Sequence, residues 1–224
     1  MDFAHAENTS RRYLDLILEA NKRTNLTRIT SREEAEVLHL EDSWVGLPEI
    51  NRAPAGRYGD LGSGGGFPGV PIALATGRET VLVDSVKKKM AIVDSVLDEL
   101  GIGEQVSTYR GRIEELALSQ PQSFSVLTAR ALARLGALLE LASPLLVKGG
   151  VLVCYKAQLS EEELKEARCV ESMLGMRLIS TREVMLSDGE TKRTIVAFEK
   201  VGKSLVKLPR RIGAAQRNPL KPQK

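Results

Sequence analysis

The stretch that decides the fold is Asp60-Leu61-Gly62-Ser63-Gly64-Gly65-Gly66-Phe67-Pro68-Gly69. It begins with an acid and continues with glycines at 62, 64 and 66, and a second acid, Asp84, closes the next apolar run, Val81-Leu82-Val83. Glycine allows positive φ and lets a ligand lie against bare backbone. An acid at the end of the next strand can accept hydrogen bonds from a ribose diol. The pattern therefore predicts a nucleoside cofactor across the carboxyl ends of two neighbouring parallel strands.

Two classes of cofactor fit this loop. The glycines at 64, 66 and 69 match the G-x-G-x-x-G of NAD-binding folds, whereas Asp60 with the glycines at 62, 64 and 66 matches the loop of class I S-adenosylmethionine methyltransferases. Pro68 and Pro71 remove backbone N–H groups that a pyrophosphate would need at the next helix. Asp60 would also repel a pyrophosphate, but it suits the cationic amino group of a methionine moiety. These features favour S-adenosylmethionine, and a NAD-dependent oxidoreductase is the alternative.

The rest of the chain alternates between strand and helix patterns, which indicates βαβ units and a mostly parallel sheet. Beyond Gly56, strands are predicted at about 57–61, 80–84, 105–109, 124–128 and 150–155, and helices at about 69–76, 86–100, 112–118, 131–146 and 160–174. Two further strand-like runs, Met176 to Leu186 and Thr194 to Lys200, flank a turn and predict a closing antiparallel hairpin. The predicted fold class is a seven-stranded Rossmann-like α/β domain.

The segments on either side of this domain have their own character. The first 50 residues are predicted to be helical: Thr9 or Ser10 would cap one helix, and Ser31 with Glu34 would form a capping box for a second. From Lys203 to Lys224 the chain has seven basic residues and no acidic ones, which is typical of a polyanion-binding arm or of a solubilising tail. We therefore predict a helical cap (1–55), a methyltransferase domain (56–202) and a basic tail (203–224).

Composition argues against several other classes of protein. Of the 224 residues, 42% are hydrophobic and 27% charged, as in ordinary soluble proteins. Cys154 and Cys169 are isolated, which argues against a disulfide framework or a zinc site. No apolar run approaches the roughly 20 residues needed to span a bilayer, and the N-terminus lacks a secretory pattern. We expect a cytoplasmic monomer that needs neither a metal nor a membrane.

The sequence also resembles one family along nearly its whole length. The glycine loop through Pro71 is similar to that of RsmG, also called glucose-inhibited division protein B, a family of bacterial 16S ribosomal RNA methyltransferases acting on nitrogen 7 of a guanine. The similarity continues in Asn25-Leu26-Thr27, His39-Leu40-Glu41-Asp42-Ser43, Val83-Asp84-Ser85, Gly111-Arg112-Ile113-Glu114, Thr128-Ala129-Arg130-Ala131, Tyr155-Lys156-Ala157 and Pro209-Arg210-Arg211-Ile212-Gly213.

The resemblance implies cofactor contacts at Gly62, Phe67, Ile113, Glu114 and Arg130, to which the loop pattern adds Asp60, Gly64, Gly66 and Asp84. Ile113 would pack on adenine and Glu114 would accept a hydrogen bond from its amino edge, although both also suit the first turn of a surface helix. Arg130 and Lys156 each follow a strand at the predicted carboxyl edge, so they are candidate catalytic residues in a cleft between RNA and cofactor.

The chemistry of guanine nitrogen 7 and its accessibility in RNA decide how the remaining candidate residues are interpreted. Guanine nitrogen 7 has a free lone pair, so His39 is a candidate for helix packing or RNA contact rather than a general base. A-form RNA hides this nitrogen in a deep, narrow groove, so the target is expected in a loop or turned out of the stack. Lys87, Lys88, Arg210, Arg211 and Arg217 are candidate RNA contacts. A noncatalytic RNA-binding module and methylation of another RNA are further alternatives.

Overall fold

The computed structural model describes residues 3–221, and a seven-stranded sheet forms their centre. Its strands are β1 (Tyr58–Leu61), β2 (Thr80–Val83), β3 (Val106–Tyr109), β4 (Phe124–Arg130), β5 (Leu146–Lys156), β6 (Met176–Met185) and β7 (Lys192–Lys200). Their order is β3-β2-β1-β4-β5-β7-β6, and β7 runs antiparallel to both of its neighbours. The predicted mostly parallel sheet and closing hairpin are confirmed.

Helices cover both faces of the sheet. They are α1 (Phe3–Thr24), α2 (Arg32–Ala35), α3 (Asp42–Trp44), α4 (Leu47–Ile50), α5 (Gly69–Thr76), α6 (Lys87–Glu99), α7 (Ile113–Ser119), α8 (Leu135–Ala142), α9 (Glu161–Leu174) and α10 (Ala214–Arg217). A π-helical segment, Glu36–Glu41, joins α2 to α3. In the part of the chain that the structure describes, no helix is both long and apolar enough to cross a membrane.

Alternation along the strands divides the core between these two faces. Val81 and Val83 of β2 belong to the cluster that α7, α8 and α9 cover, whereas Leu82 between them belongs to the cluster under α1, α5 and α6. This follows from the two-residue period of a strand, which sends successive side chains to opposite faces. Both faces of the parallel strands β1, β2 and β4 are therefore buried.

The predicted boundaries fail most clearly between β4 and β5. Instead of a helix over 131–146, β4 runs to Arg130, Ala131 takes a positive φ of 53°, and α8 covers only Leu135–Ala142. Strand β5 starts at Leu146, before the predicted 150–155, and a register shift against β4 accommodates the extra length. Only Ser143 and Pro144 interrupt the apolar residues between α8 and this strand, and periodicity alone does not separate helix from strand over so few residues.

The N-terminal helix starts earlier than predicted. Ser10 does not cap it, because its hydroxyl donates to the carbonyl of Ala6 at 2.7 Å, one turn back inside the helix. The helix extends to Phe3, whose ring packs edge-on against Trp44. The second predicted cap is present in part, since the Ser31 hydroxyl accepts from the backbone N–H of Glu34 at 3.3 Å.

The described part of the C-terminal segment lies against the domain. Val206, Leu208 and Leu220 pack against the hydrophobic cluster on the α8 face, and Ala215 of α10 is buried in it. The predicted basic tail is thus not a free arm between residues 203 and 221, because these four apolar side chains are held by the body, although Leu205 and Ile212 are exposed.

Candidate cofactor and RNA site

The glycine loop after β1 has the backbone that its sequence predicts. Gly62, Gly64 and Gly66 have φ angles of 74°, 56° and 84°, a region that L side chains rarely adopt. A Cβ at Gly64 would meet nothing within 4 Å, whereas one at Gly66 would overlap the Tyr13 hydroxyl. That hydroxyl donates to the carbonyl of Gly65 at 3.0 Å. Helix α1 therefore holds the back of the loop, and Gly64 leaves its front open.

The two acids of the pattern have different surroundings. Asp84 is half-buried, and its carboxylate accepts from the backbone N–H groups of Gly64 at 3.0 Å and Val86 at 2.8 Å. Asp60 is only 1% exposed, and it accepts from Gly69 N–H at 3.0 Å and from the Thr128 hydroxyl at 2.7 Å. Burial raises the pKa of Asp60 to about 6, against these hydrogen bonds. This geometry favours a role for Asp60 in holding the loop, and its contact with a cofactor amino group stays a prediction.

A cavity of about 100 Å³ lies beside the loop, where β1, β2 and β3 end. Four of the predicted cofactor residues line it: Gly62, Asp84, Ile113 and Glu114. The lining also includes residues that were not predicted as site residues: Arg112, Leu132, Leu141, Gly213, Ala215 and Gln216. The Glu114 carboxylate is buried and accepts from the backbone N–H of Gly213 at 2.7 Å. The predicted site residues of three separate strand ends are thus brought together.

These residues fit the adenosine end of a nucleoside cofactor. Asp84 presents carboxylate oxygens that can accept from ribose hydroxyls, and Ile113 supplies an apolar wall. The cavity is small beside the roughly 300–1,000 Å³ typical of ligand sites, so it suits one ring system rather than the whole molecule. The open front of Gly64 would leave room for the remainder.

Arg130 lies at the same sheet edge but outside this cavity. Its guanidinium donates to Asp42 Oδ2 at 2.7 Å and to the carbonyl of Leu38 at 3.1 Å. Arg193 of β7 donates to the other oxygen of Asp42 at 2.8 Å. Asp42 is 1% exposed and each arginine side chain 16%. A buried acid from the N-terminal helices thus fixes two cations, one at the end of β4 and one at the start of β7.

His39 and Phe67 complete this part of the edge. Their rings stack with centroids 4.6 Å apart, and Nε2 of His39 lies 3.0 Å from the Thr27 hydroxyl. Burial, with a smaller effect of Arg130, lowers the pKa of His39 to about 4. An imidazole in this state is neutral at physiological pH, which agrees with the predicted packing role. Phe67 is 6% exposed, so it presents little of the apolar wall predicted for it.

The remaining predicted residues are dispersed. Lys156, a candidate catalytic residue, is paired with Glu163 of α9 at 2.8 Å and lies outside the cavity lining. Arg210 differs most from its predicted role as an RNA contact, because it donates to both oxygens of the buried Glu140 at 2.7 and 2.6 Å. Lys87 and Lys88 are exposed at the start of α6, and Arg211 and Arg217 are exposed on the C-terminal segment. No group of three or more metal-ligating side chains occurs within residues 3–221.

Comparison with protein families gives a match over most of the chain. Residues 6–195 match the GidB family model, described as rRNA small subunit methyltransferase G. A ribosomal RNA small subunit methyltransferase G from Clostridium novyi is 35% identical over 211 residues, covering 93% of this chain and 86% of the relative. The protein of that name from Geobacillus kaustophilus is 34% identical over 212 residues, covering 93% and 89%.

Solved structures show the same fold at low sequence identity. A geranyl diphosphate methyltransferase in complex with SAM superposes with a TM-score of 0.58 at 14% identity, covering 76% of this chain and 89% of that one. The [4+2]-cyclase SpnF superposes with a TM-score of 0.57 at 14% identity, covering 71% and 81%. A cyclase and a methyltransferase match equally well, so these structures establish the class I methyltransferase fold alone.

Proposed function

Because the chain belongs to the rRNA small subunit methyltransferase G family, we propose that it transfers a methyl group from S-adenosylmethionine to nitrogen 7 of a guanine in 16S ribosomal RNA. Membership confirms the predicted family and enzyme class, a methyltransferase of small-subunit ribosomal RNA. The observation that carries the cofactor assignment is the cavity between Gly62, Asp84 and Ile113, which lies beside the open front of Gly64.

In this proposal the cofactor lies along the carboxyl edge from the cavity to the glycine loop. Asp84 accepts from the ribose hydroxyls, and Ile113 packs on the base. Glu114 holds Gly213 through Oε1, and its second oxygen is available to the amino edge of adenine. Asp60 and Gly66 support the loop from behind rather than contact the cofactor, because Asp60 is bonded to Gly69 and Gly66 packs against Tyr13.

The chemistry asks little of acid or base groups. S-adenosylmethionine supplies an electrophilic methyl group, and guanine nitrogen 7 attacks with a lone pair that needs no deprotonation. The protein contributes alignment and a matched electrostatic environment. Arg130 and Arg193, fixed by Asp42, are proposed to hold the RNA phosphates beside the target base. Lys156 then serves to anchor α9 through Glu163.

The RNA reaches this edge as an unstacked or loop nucleotide, since nitrogen 7 is hidden in the A-form groove. Lys87 and Lys88 at the start of α6, with Arg211 and Arg217 on the C-terminal segment, are exposed cations that can contact flanking phosphates. The proposed substrate is 16S ribosomal RNA or the small ribosomal subunit. The proposed setting is the cytoplasm, with the protein acting as a monomer.

The test is incubation of the protein with methyl-labelled S-adenosylmethionine and either 16S ribosomal RNA or intact small subunits, followed by mapping of the label. A single 7-methylguanine is the expected product. Label on another base or another atom would redirect the target assignment, and RNA binding without transfer would leave a noncatalytic module. Tight NAD binding with no binding of S-adenosylmethionine would favour an oxidoreductase.

A further inference from the structure

The C-terminal segment Pro209–Asn218, here named the strap, crosses the cofactor cavity. It lies beyond residue 195, where the family match ends, and its Gly213, Ala215 and Gln216 line the cavity. We propose that the strap is the outer wall of the cofactor's base site, and that Arg210 is a positioning residue for the cofactor rather than an RNA contact. This inference rests on the proposed function, because it assumes that the cavity takes the cofactor's base.

Two buried acids fasten the strap. Glu140 of α8 is 3% exposed, and its two oxygens accept from Nε and Nη2 of Arg210. Paired, parallel hydrogen bonds of this kind fix orientation as well as position. The same guanidinium also donates to the carbonyl of Asn218 at 2.8 Å, so Arg210 ties the two ends of the strap together. Glu114 fastens its middle through Gly213 N–H.

The other strap contacts point the same way. The Gln216 side chain donates to the carbonyl of Leu132 at 3.3 Å, on the far rim of the cavity. Ala215 is 3% exposed within the cluster that α8 covers. The side chains of Arg210 and Ala215 thus turn inward, while those of Arg211 and Arg217 form the exposed surface of the strap. The strap is built as a wall whose inner side meets the base.

Glu114 links the position of the strap directly to recognition of the cofactor's base. The carboxylate proposed to recognise the adenine amino group is itself positioned by a strap N–H at 2.7 Å. When the Arg210 anchor is lost, the strap must be ordered again each time the cofactor binds, and this ordering reduces affinity. Loss of the strap should therefore weaken binding without removing any residue of the glycine loop.

The experiment measures binding of S-adenosylhomocysteine by calorimetry, well below each variant's melting temperature. Arg210→Ala is expected to weaken binding at least about tenfold, which corresponds to about 1.4 kcal/mol. Arg210→Lys keeps the charge but loses the paired hydrogen bonds, so an intermediate loss is expected. Lys207→Ala removes one exposed basic residue just before the strap, and it should bind within twofold of wild type.

A matched control separates the strap from general destabilisation. Arg182 donates to both oxygens of the buried Glu49 at 2.9 and 2.8 Å, and neither residue lines the cavity. Arg182→Ala should lower the melting temperature comparably and leave affinity unchanged. If Arg210→Ala binds within twofold of wild type, or if Arg182→Ala weakens binding equally, the strap proposal is overturned while the proposed function stands. If the wild-type protein binds no S-adenosylhomocysteine, both fail.

Discussion

Replacing Asp42 by alanine tests whether one buried acid organises the proposed RNA side of the site. Asp42 is 1% exposed, and its two oxygens each accept from an arginine, Arg130 at 2.7 Å and Arg193 at 2.8 Å. Asp42→Ala leaves both largely buried guanidinium groups facing each other without a counterion. Breaking a buried pair from one side costs about 3–5 kcal/mol. At about 2–4 °C per kcal/mol for a chain of this size, the melting temperature should fall by roughly 6–20 °C.

Arg130→Ala provides the comparison, because it leaves Asp42 paired with Arg193. It removes the charged hydrogen bond to Asp42, worth about 1.5–3 kcal/mol, and the bond to the Leu38 carbonyl, but it leaves no buried charge unpaired. Asp42→Asn, which keeps the shape and one oxygen acceptor, should fall between the two. The free energies of unfolding come from urea titrations followed by circular dichroism. The reasoning is refuted if Asp42→Ala loses no more stability than Arg130→Ala.

The same variants separate the two halves of the edge. Neither Asp42 nor Arg130 lines the base cavity, so both variants should bind S-adenosylhomocysteine within a few-fold of wild type at a temperature where they are folded. Both should transfer methyl groups to ribosomal RNA far more slowly, since the two arginines are proposed to align the RNA. Full transfer activity in Arg130→Ala would remove this residue from the cleft.

Two further predictions concern the loop and the histidine. Gly64→Val should abolish S-adenosylhomocysteine binding in calorimetry while the protein stays folded, because its side chain would fill the open front of the loop; Gly189→Val, also at positive φ (69°) in open space but in the β6–β7 turn, should share the strain and bind normally. For His39→Gln, the wild-type advantage in unfolding free energy should be complete above pH 6.5 and be lost, by up to roughly 3 kcal/mol, as pH falls toward the lowered pKa of about 4. Asp60, whose pKa is raised, is common to both proteins and cancels in the difference; an advantage that stays constant from pH 7 to 4 would contradict the argument.

Much of the fold could be predicted because its determinants are local. The glycines at 62, 64 and 66 require particular φ angles, and Val81-Leu82-Val83 is too short and too β-branched for a helix. Once strands and helices alternate, the crossovers make the strands parallel, and parallel strands have their carboxyl ends at one edge of the sheet. The approach of Asp84 to the glycine loop follows from that topology, without knowledge of any side-chain contact.

The pairings that hold the site could not be predicted in this way. Arg130 meets Asp42 across 88 residues, and Arg210 meets Glu140 across 70. Nothing in the local sequence of either arginine shows whether its side chain pairs with a buried acid or is solvated, and most arginines are exposed. No feature of the sequence singled out Arg193 as a site residue. The basic composition of the tail suggested RNA, but its apolar Leu208 and Ala215 decide where the chain lies.

The buried acids explain how a methyltransferase of this kind works with so few reactive groups. Because the proposed target, guanine nitrogen 7, needs no base, the rate is expected to depend on holding donor and acceptor in line. Asp60 fixes the glycine loop, Asp42 fixes the two arginines and Glu140 fixes the strap, each through at least two hydrogen bonds and each at most 3% exposed. Burial of each acid lowers the stability of the fold, but each acid holds its partner groups in a fixed position. We therefore expect substitutions at these acids to impair alignment through the residues they hold, rather than through any direct part in methyl transfer.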